Sequence, residues 1–134
     1  MSHETFAYGM RKTLPLSLPE ALDRVREALA GEGFGVLTEI DVEDTLRTKI
    51  GVDFRPYRIL GACNPALAHQ ALQAETDIGL LLPCNVVVYQ GASDAESVVA
   101  VLDPKAQLAI TGRDDIEPLA LEVRGRMHRV MDAL

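Results

Sequence analysis

The sequence contains no tryptophan, and aromatic residues make up only 4% of its 134 positions. Hydrophobic residues nevertheless account for 48% of the chain. The core is therefore expected to be aliphatic, built from leucine, valine, isoleucine and alanine. A chain of this length and apolar content can form one hydrophobic core without metal or disulfide support. We predict a single domain that spans residues 1–134.

Cysteine is also scarce, and Cys63 and Cys84 are the only two residues of this type. Two cysteines do not form the disulfide framework that is typical of small secreted domains. The first residues lack the apolar segment of a signal peptide, and no apolar run approaches the roughly 20 residues of a membrane-spanning helix. We expect a cytoplasmic protein with both thiols reduced and no membrane partner.

Basic residues are fewer than acidic ones: the sequence has 13 lysines and arginines and 20 aspartates and glutamates. The formal net charge is −7 and the sequence pI is about 4.9. Nucleic-acid binding depends on lysine and arginine side chains that neutralise phosphates. Anionic membrane surfaces attract basic segments for the same reason. The charge therefore argues against both partners.

Short motifs that mark common enzyme classes are missing as well. The chain has no glycine-rich dinucleotide fingerprint, no Walker loop, no nucleophile elbow and no zinc-protease histidine pair. We therefore expect no cofactor. The acidic pairs Glu43-Asp44 and Asp114-Asp115 lie at predicted helix starts, where carboxylates complement the helix dipole without any catalytic role.

Local patterns predict strands that alternate with helices. Residues 5–11 alternate apolar and polar positions, which is typical of a half-buried strand. Ser17 and Glu20 form a capping box in front of a helix whose apolar residues recur at helical spacing. Gly31 or Gly33 supplies the end of that helix.

The remaining elements follow from the same signals. They are a strand over 34–40, a short helix capped by Asp41 over 42–50, a strand over 57–62, a helix that starts at Asn64-Pro65, a hairpin of 86–89 with 97–102, and a final helix from near Asp114. Asp103-Pro104 is interpreted as the end of the hairpin. The order β-α-β-(α)-β-α-β-β-α predicts a two-layer α+β domain, with helices packed on one face of a mostly antiparallel sheet.

Two segments stand out, because each places a Cys-Asn step beside a proline at a boundary between predicted elements. Cys63 ends a strand just before a helix N-terminus, whose partial positive charge can lower a thiol pKa below the usual value of roughly 8.5. Gly61 permits the close approach of a backbone or ligand. The alternative is a structural role, since free cysteine is often buried as a small hydrophobic residue.

The second segment is Pro83-Cys84-Asn85, which leads into the fourth predicted strand. Pro83 removes a backbone donor and indicates a bulge, an edge or a turn. The Asn85 amide could hold that turn in place. A purely structural role is again the alternative for Cys84, because buried free thiols are common.

Three functions are open if the two segments meet in space. The first is a ligand pocket lined by both side chains. The second is a redox couple, although the 20 residues between Cys63 and Cys84 exclude the usual Cys-x-x-Cys arrangement. The third is a metal site that adds His69, which would still be an incomplete tetrahedral ligand set.

The run RPYRILGACNP over 55–65, the run GLLLPCNVVVY over 79–89 and the later Asp103-Pro104 together resemble the family known as domain of unknown function 302. The similarity extends over nearly the whole chain. It implies an α+β fold of the TATA-binding-protein-like class and a small homodimer, and it implies no reaction. The marked positions of the family fall on Gly61, Cys63, Asn64, Pro65, Pro83, Cys84 and Asn85.

The leading hypothesis is therefore a homodimeric cytoplasmic module that binds a small molecule near these two segments. Edge strands or the stripe of the final helix could provide the dimer contact. The alternatives are a thiol-based redox protein or enzyme that uses Cys63 with Cys84, and metal binding by Cys63, Cys84 and His69.

Overall fold

Six strands form one antiparallel sheet in the computed structural model, which describes residues 3–134. They are β1 (Glu4–Phe6), β2 (Gly9–Leu14), β3 (Gly35–Asp41), β4 (Tyr57–Cys63), β5 (Cys84–Gln90) and β6 (Ser97–Leu102). Across the sheet their order is β1-β2-β6-β5-β4-β3, and every neighbouring pair is antiparallel. The predicted α+β class with an antiparallel sheet is confirmed.

Five α-helices connect or follow these strands. They are α1 (Leu18–Gly31), α2 (Val42–Ile50), α3 (Pro65–Ala74), α4 (Pro104–Leu108) and α5 (Glu117–Asp132). Short 3₁₀ segments cover Thr76–Leu81 and Ala109–Thr111. None of the helices within residues 3–134 is long and apolar enough to cross a membrane.

The helix starts that depend on local capping are confirmed. Ser17 and Glu20 form the predicted capping box of α1, and the chain leaves that helix through Gly33 at φ +83°. The Asp41 side chain accepts from the backbone N–H of Asp44 at the start of α2. Each cap satisfies a donor that has no partner within its helix.

The predicted first strand is wrong in one respect, because residues 5–11 form a hairpin instead of one continuous strand. Phe6 of β1 pairs with Gly9 of β2 across a two-residue turn that contains the exposed Tyr8. A Cβ at Gly9 would lie 2.6 Å from the carbonyl oxygen of Val101 and 2.7 Å from the Phe6 ring. Period-2 alternation continues through such a turn, and so the pattern does not reveal it.

The segment after β6 also differs from the prediction. Asp103 caps α4 by accepting from the backbone N–H of Lys105, so the chain continues as a helix instead of a simple turn. The last helix begins at Glu117, three residues after Asp114, and Ile116 provides no side-chain cap. Pro118 lies in the first turn of that helix, where its missing N–H breaks no helical hydrogen bond.

The main core lies between one face of the sheet and the helices α1 and α5. Alternate residues of the central strands are fully buried on this side, and they pack with apolar residues of both helices. They include Val86, Val88, Val99 and Val101 from the strands, Val25 and Leu29 from α1, and Met127 and Val130 from α5. Because the stripe of α5 packs against its own sheet, that stripe is unavailable for the dimer contact suggested by the sequence.

The opposite side of strands β3 to β6 forms what we call the open face. Its apolar members are half-buried or exposed, and none belongs to either apolar cluster within residues 3–134. They are Ile40, Tyr57, Ile59, Val87, Tyr89, Val98, Ala100 and Leu102. Residue pairing places Ile40, Ile59, Val87 and Ala100 in one row across the four strands.

Candidate functional site

The two Cys-Asn segments meet where β4 ends and β5 begins. Strand pairing sets Ala62 opposite Cys84 and Gly61 opposite Asn85, so the segments are neighbours although 20 residues separate their cysteines. Cys63 and Cys84 both line a single cavity beside this strand pair. The structure thus brings together the two segments that the sequence singled out.

The cavity has a volume of about 390 Å³. Its wall comes from the paired ends of β3, β4 and β5, one side of α3, the residues before β5, the end of α4 and the first half of α5. Among the described residues that line it, none carries a charged side chain. Within residues 3–134, the side chains of the wall that carry an amide or hydroxyl group are Thr38, Asn64 and Gln107.

Four of the seven predicted site residues line this cavity, namely Cys63, Asn64, Pro83 and Cys84. Asn64 also caps α3, because its Oδ1 accepts from the backbone N–H of Leu67 at 3.3 Å. That bond fixes the side chain at the rim of the cavity, as the Asn-Pro helix start predicted.

The other three predicted residues do not line the cavity. A Cβ at Gly61 would collide with Thr38 Oγ1 and lie 2.8 Å from Cγ of Pro83, so glycine lets the Pro83 ring lie against β4. Pro65 is the first residue of α3, and Asn85 is exposed on β5. The space beside Gly61 is therefore filled by the side chains of Thr38 and Pro83 and not by a ligand.

The protonation of the thiols corrects an expectation from the sequence. Cys63 precedes the N-cap Asn64, so Cys63 lies outside the first turn of α3. Burial raises the pKa of the Cys63 thiol above its ordinary value, opposite to the lowering expected from the helix N-terminus. Burial, with a smaller contribution from nearby Cys63, raises the pKa of Cys84 to about 11. Both cysteines are free, and both are protonated at neutral pH.

Thiol alkylation should reflect these raised pKa values. At pH 7 we expect Cys63 to react with iodoacetamide more slowly than free cysteine, and Cys84 to remain unmodified in the folded protein. Only the thiolate reacts, and a raised pKa reduces its share at neutral pH, so the Cys63 rate should continue to climb above the pH at which an ordinary thiol is half ionised. Mass spectrometry of each cysteine peptide measures both rates. A Cys63 rate that is already maximal at pH 7 would contradict this result.

The alternative of a metal site formed by Cys63, Cys84 and His69 has no support in the structure. Within residues 3–134, no group of three histidine, cysteine, aspartate or glutamate residues is placed to hold a metal ion. His69 is exposed on α3 and is absent from the cavity wall, whereas Leu67, Ala68 and Ala71 face inward. Helical geometry separates these positions, because His69 points roughly a quarter turn or more away from them.

Sequence reasoning missed the part of the wall contributed by α4 and α5. Gln107 and Leu108 come from α4, and Leu119 and Val123 come from α5. A signal for α4 was present, because Asp103-Pro104 has the same N-cap and first-position pattern as Asn64-Pro65. That these helices close the cavity depends on long-range packing, which no local motif records.

Comparison with known proteins agrees with this architecture. The family model "Domain of unknown function DUF302" matches residues 10–134. The crystal structure of uncharacterized conserved protein DUF302 from Bacillus stearothermophilus superposes with a TM-score of 0.87, covers 96% of this chain and 98% of that chain, and is 28% identical in sequence. No curated protein matches. The chain therefore belongs to the family described as domain of unknown function DUF302.

Proposed function

We propose that this domain binds a small, mainly apolar molecule in the cavity between the β4–β5 strand ends and the helices α3, α4 and α5. The cavity itself supports this proposal. Its volume of about 390 Å³ lies within the roughly 300–1,000 Å³ that is typical of small-molecule sites. Apolar walls with a few polar groups are the usual composition of such sites.

The lining defines how the ligand would be held. Leu67, Leu72, Leu119 and Val123 offer apolar surface, and burial of apolar area contributes roughly 25 cal/mol per Å². Cys63 and Cys84 add polarisable sulfur to the wall. Because burial raises both thiol pKa values, their role in this proposal is contact with the ligand and not nucleophilic attack.

Filling the cavity tests the proposal. Ala68 lines it from α3, and Ala68→Leu adds three carbon atoms to the wall. We expect this variant to bind 1-heptanol at least about tenfold more weakly than the unsubstituted protein, because the added side chain occupies ligand volume. Titration followed by NMR shifts of the Leu67 and Val123 methyl groups measures the affinity.

The matched control is Ala66→Leu on the same helix, since Ala66 is exposed and lies outside the wall. It should bind 1-heptanol as the unsubstituted protein does. Equal affinities for both variants, or shifts confined to residues far from the cavity, would contradict binding at this site.

We also propose that the domain is a homodimer in which a second copy covers the open face. The open face carries no charged side chain on strands β3 to β6, whereas the whole chain has a net charge of −7. Contact between two acidic copies is therefore least opposed there. The same apolar row on both partners suits a two-fold interface.

Light scattering over a dilution series measures this association directly. A dimer should persist at micromolar concentration, because apolar area is removed from water on both copies. A monomer throughout that range would contradict the proposed dimer and leave the cavity proposal unaffected.

A further inference from the structure

We propose that the ligand is an uncharged molecule with a hydrogen-bond donor such as a hydroxyl group, and that Gln107 Oε1 accepts from this donor. This inference rests on the proposed function and adds the chemical class of the ligand. It is carried by one polar atom of Gln107, a residue that lines the cavity, and by the absence of charged side chains among the described residues of the wall.

The orientation of the Gln107 amide is defined by its contacts. Nε2 donates to the carbonyl oxygen of Leu81, in the 3₁₀ segment that precedes β5. Exchange of the two amide ends would place an oxygen against that carbonyl oxygen, which is unfavourable. The other end of the amide, Oε1, is therefore an acceptor.

Gln107 Oε1 is buried and has no hydrogen-bond partner within residues 3–134. Buried polar groups are nearly always paired, so an exception in a cavity wall indicates a partner that arrives from outside the chain. The atom has almost no accessible surface, so neighbouring atoms cover it toward the cavity as well as toward bulk solvent. A small movement of the surrounding side chains therefore accompanies entry of the ligand donor.

The other polar groups of the wall are less suited to this role. Asn64 Oδ1 already accepts from the backbone N–H of Leu67. Thr38 is exposed at the rim, where water competes for its hydroxyl. Of these three side chains, half-buried Gln107 is the one with a buried acceptor atom, Oε1, that has no hydrogen-bond partner within residues 3–134.

The ligand is expected to be neutral because the wall has no countercharge. Burial of an ionised group is unfavourable unless an opposite charge or several hydrogen bonds compensate for it. The net charge of −7 further disfavours an anion. An alcohol or a primary amide fits this wall, whereas a carboxylate or an ammonium ion does not.

Three probes of similar size separate these possibilities. 1-Heptanol and hexyl methyl ether are isomers, and only the alcohol is a hydrogen-bond donor. We expect the alcohol to bind about 3- to 10-fold more tightly by calorimetry or NMR titration. Heptanoate at pH 7 should bind at least about 100-fold more weakly than the alcohol.

Gln107→Met tests the acceptor, because methionine keeps the approximate length and volume of the side chain without the amide. The preference for the alcohol should disappear in this variant, while the ether binds as before. Gln73→Met, at an exposed position of α3, is the matched control and should keep the preference. Thermal unfolding verifies that both variants are folded, and the isomer comparison in the unsubstituted protein is independent of any variant.

Each outcome has a definite meaning. Equal affinities for the two isomers in the unsubstituted protein would overturn this inference and leave cavity binding intact. Heptanoate that binds as tightly as 1-heptanol would overturn the neutral ligand class. No binding of either isomer would overturn both this inference and the proposed function.

Discussion

Val87→Lys is expected to make the protein monomeric at concentrations where the unsubstituted protein forms dimers. Val87 lies in the middle of the open face, paired with Ile59 on one side and Ala100 on the other. In a two-fold contact, one substitution places two unpaired ammonium groups in the interface. Since burial of each such charge is unfavourable by several kcal/mol, we expect the dimer dissociation constant to rise at least about 1,000-fold.

Loss of the dimer in the Val87→Lys variant could not be explained by stronger overall repulsion between the two acidic copies. Lysine makes the net charge less negative, so general repulsion between copies decreases. Ala30→Lys, at an exposed position of α1, is the matched control and should leave association unchanged. Analytical ultracentrifugation of the three proteins gives the constants. Undiminished association of the Val87 variant would place the contact elsewhere on the molecule.

Lys12→Met is expected to lower the free energy of unfolding by about 3 kcal/mol. The Lys12 side chain points into the main core from β2 and is only 6% exposed. Its Nζ donates to the carbonyl oxygen of Met131 at 3.0 Å and to the main-chain oxygen of Leu134 at 2.6 Å. The Met131 oxygen lies in the last turn of α5 and the Leu134 oxygen lies just beyond that helix, at the end where the helix dipole is negative.

Methionine fills similar space but removes both hydrogen bonds of the Lys12 ammonium group, and this loss accounts for the size of the effect. The Met131 oxygen keeps the backbone N–H of Leu134 as a donor. We expect the midpoint of thermal unfolding to fall by about 10 °C. Lys49→Met is the control, because Lys49 is exposed on α2, and it should change stability by no more than about 0.5 kcal/mol. A Lys12 variant as stable as its control would show that the bonds to α5 contribute little.

The Lys12 contact also bears on the candidate site. Helix α5 supplies Leu119 and Val123 to the cavity wall, while its far end is held to β2 by Lys12. Part of the cavity wall therefore belongs to a helix, α5, whose opposite end Lys12 holds at some distance from the proposed ligand. The open face and the cavity lie in different parts of the same sheet, so their proposed roles can be tested separately.

The thiol-based alternative receives no support from the environment of the cysteines. A reactive cysteine needs a thiolate at neutral pH, which usually requires a nearby positive charge or a helix N-terminus. Among the described residues, the lining of the cavity includes no basic side chain, and burial raises the pKa of both thiols. The two Cys-Asn segments contribute to the shape of an apolar wall.

Local sequence signals determined much of the secondary structure of this protein. Ser17 with Glu20, Asp41 and Asn64-Pro65 each define a helix start, because the donor and acceptor of a cap lie within about three residues of one another. The runs rich in β-branched residues at 86–89 and 97–102 predicted the central strands β5 and β6. The two unusual segments were also recognisable, but whether they meet stayed open until the pairing of β4 with β5 was known.

Only the tertiary structure decided the rest. The turn between β1 and β2 depends on the close approach of Gly9 to β6, and the cavity depends on how α4 and α5 pack against distant strands. The thiol pKa values followed burial and not the adjacent helix, because desolvation arises from neighbours that are remote in the chain. Caps and alternation are properties of a few consecutive residues. Burial, cavity shape and an acceptor without a partner are properties of the folded chain.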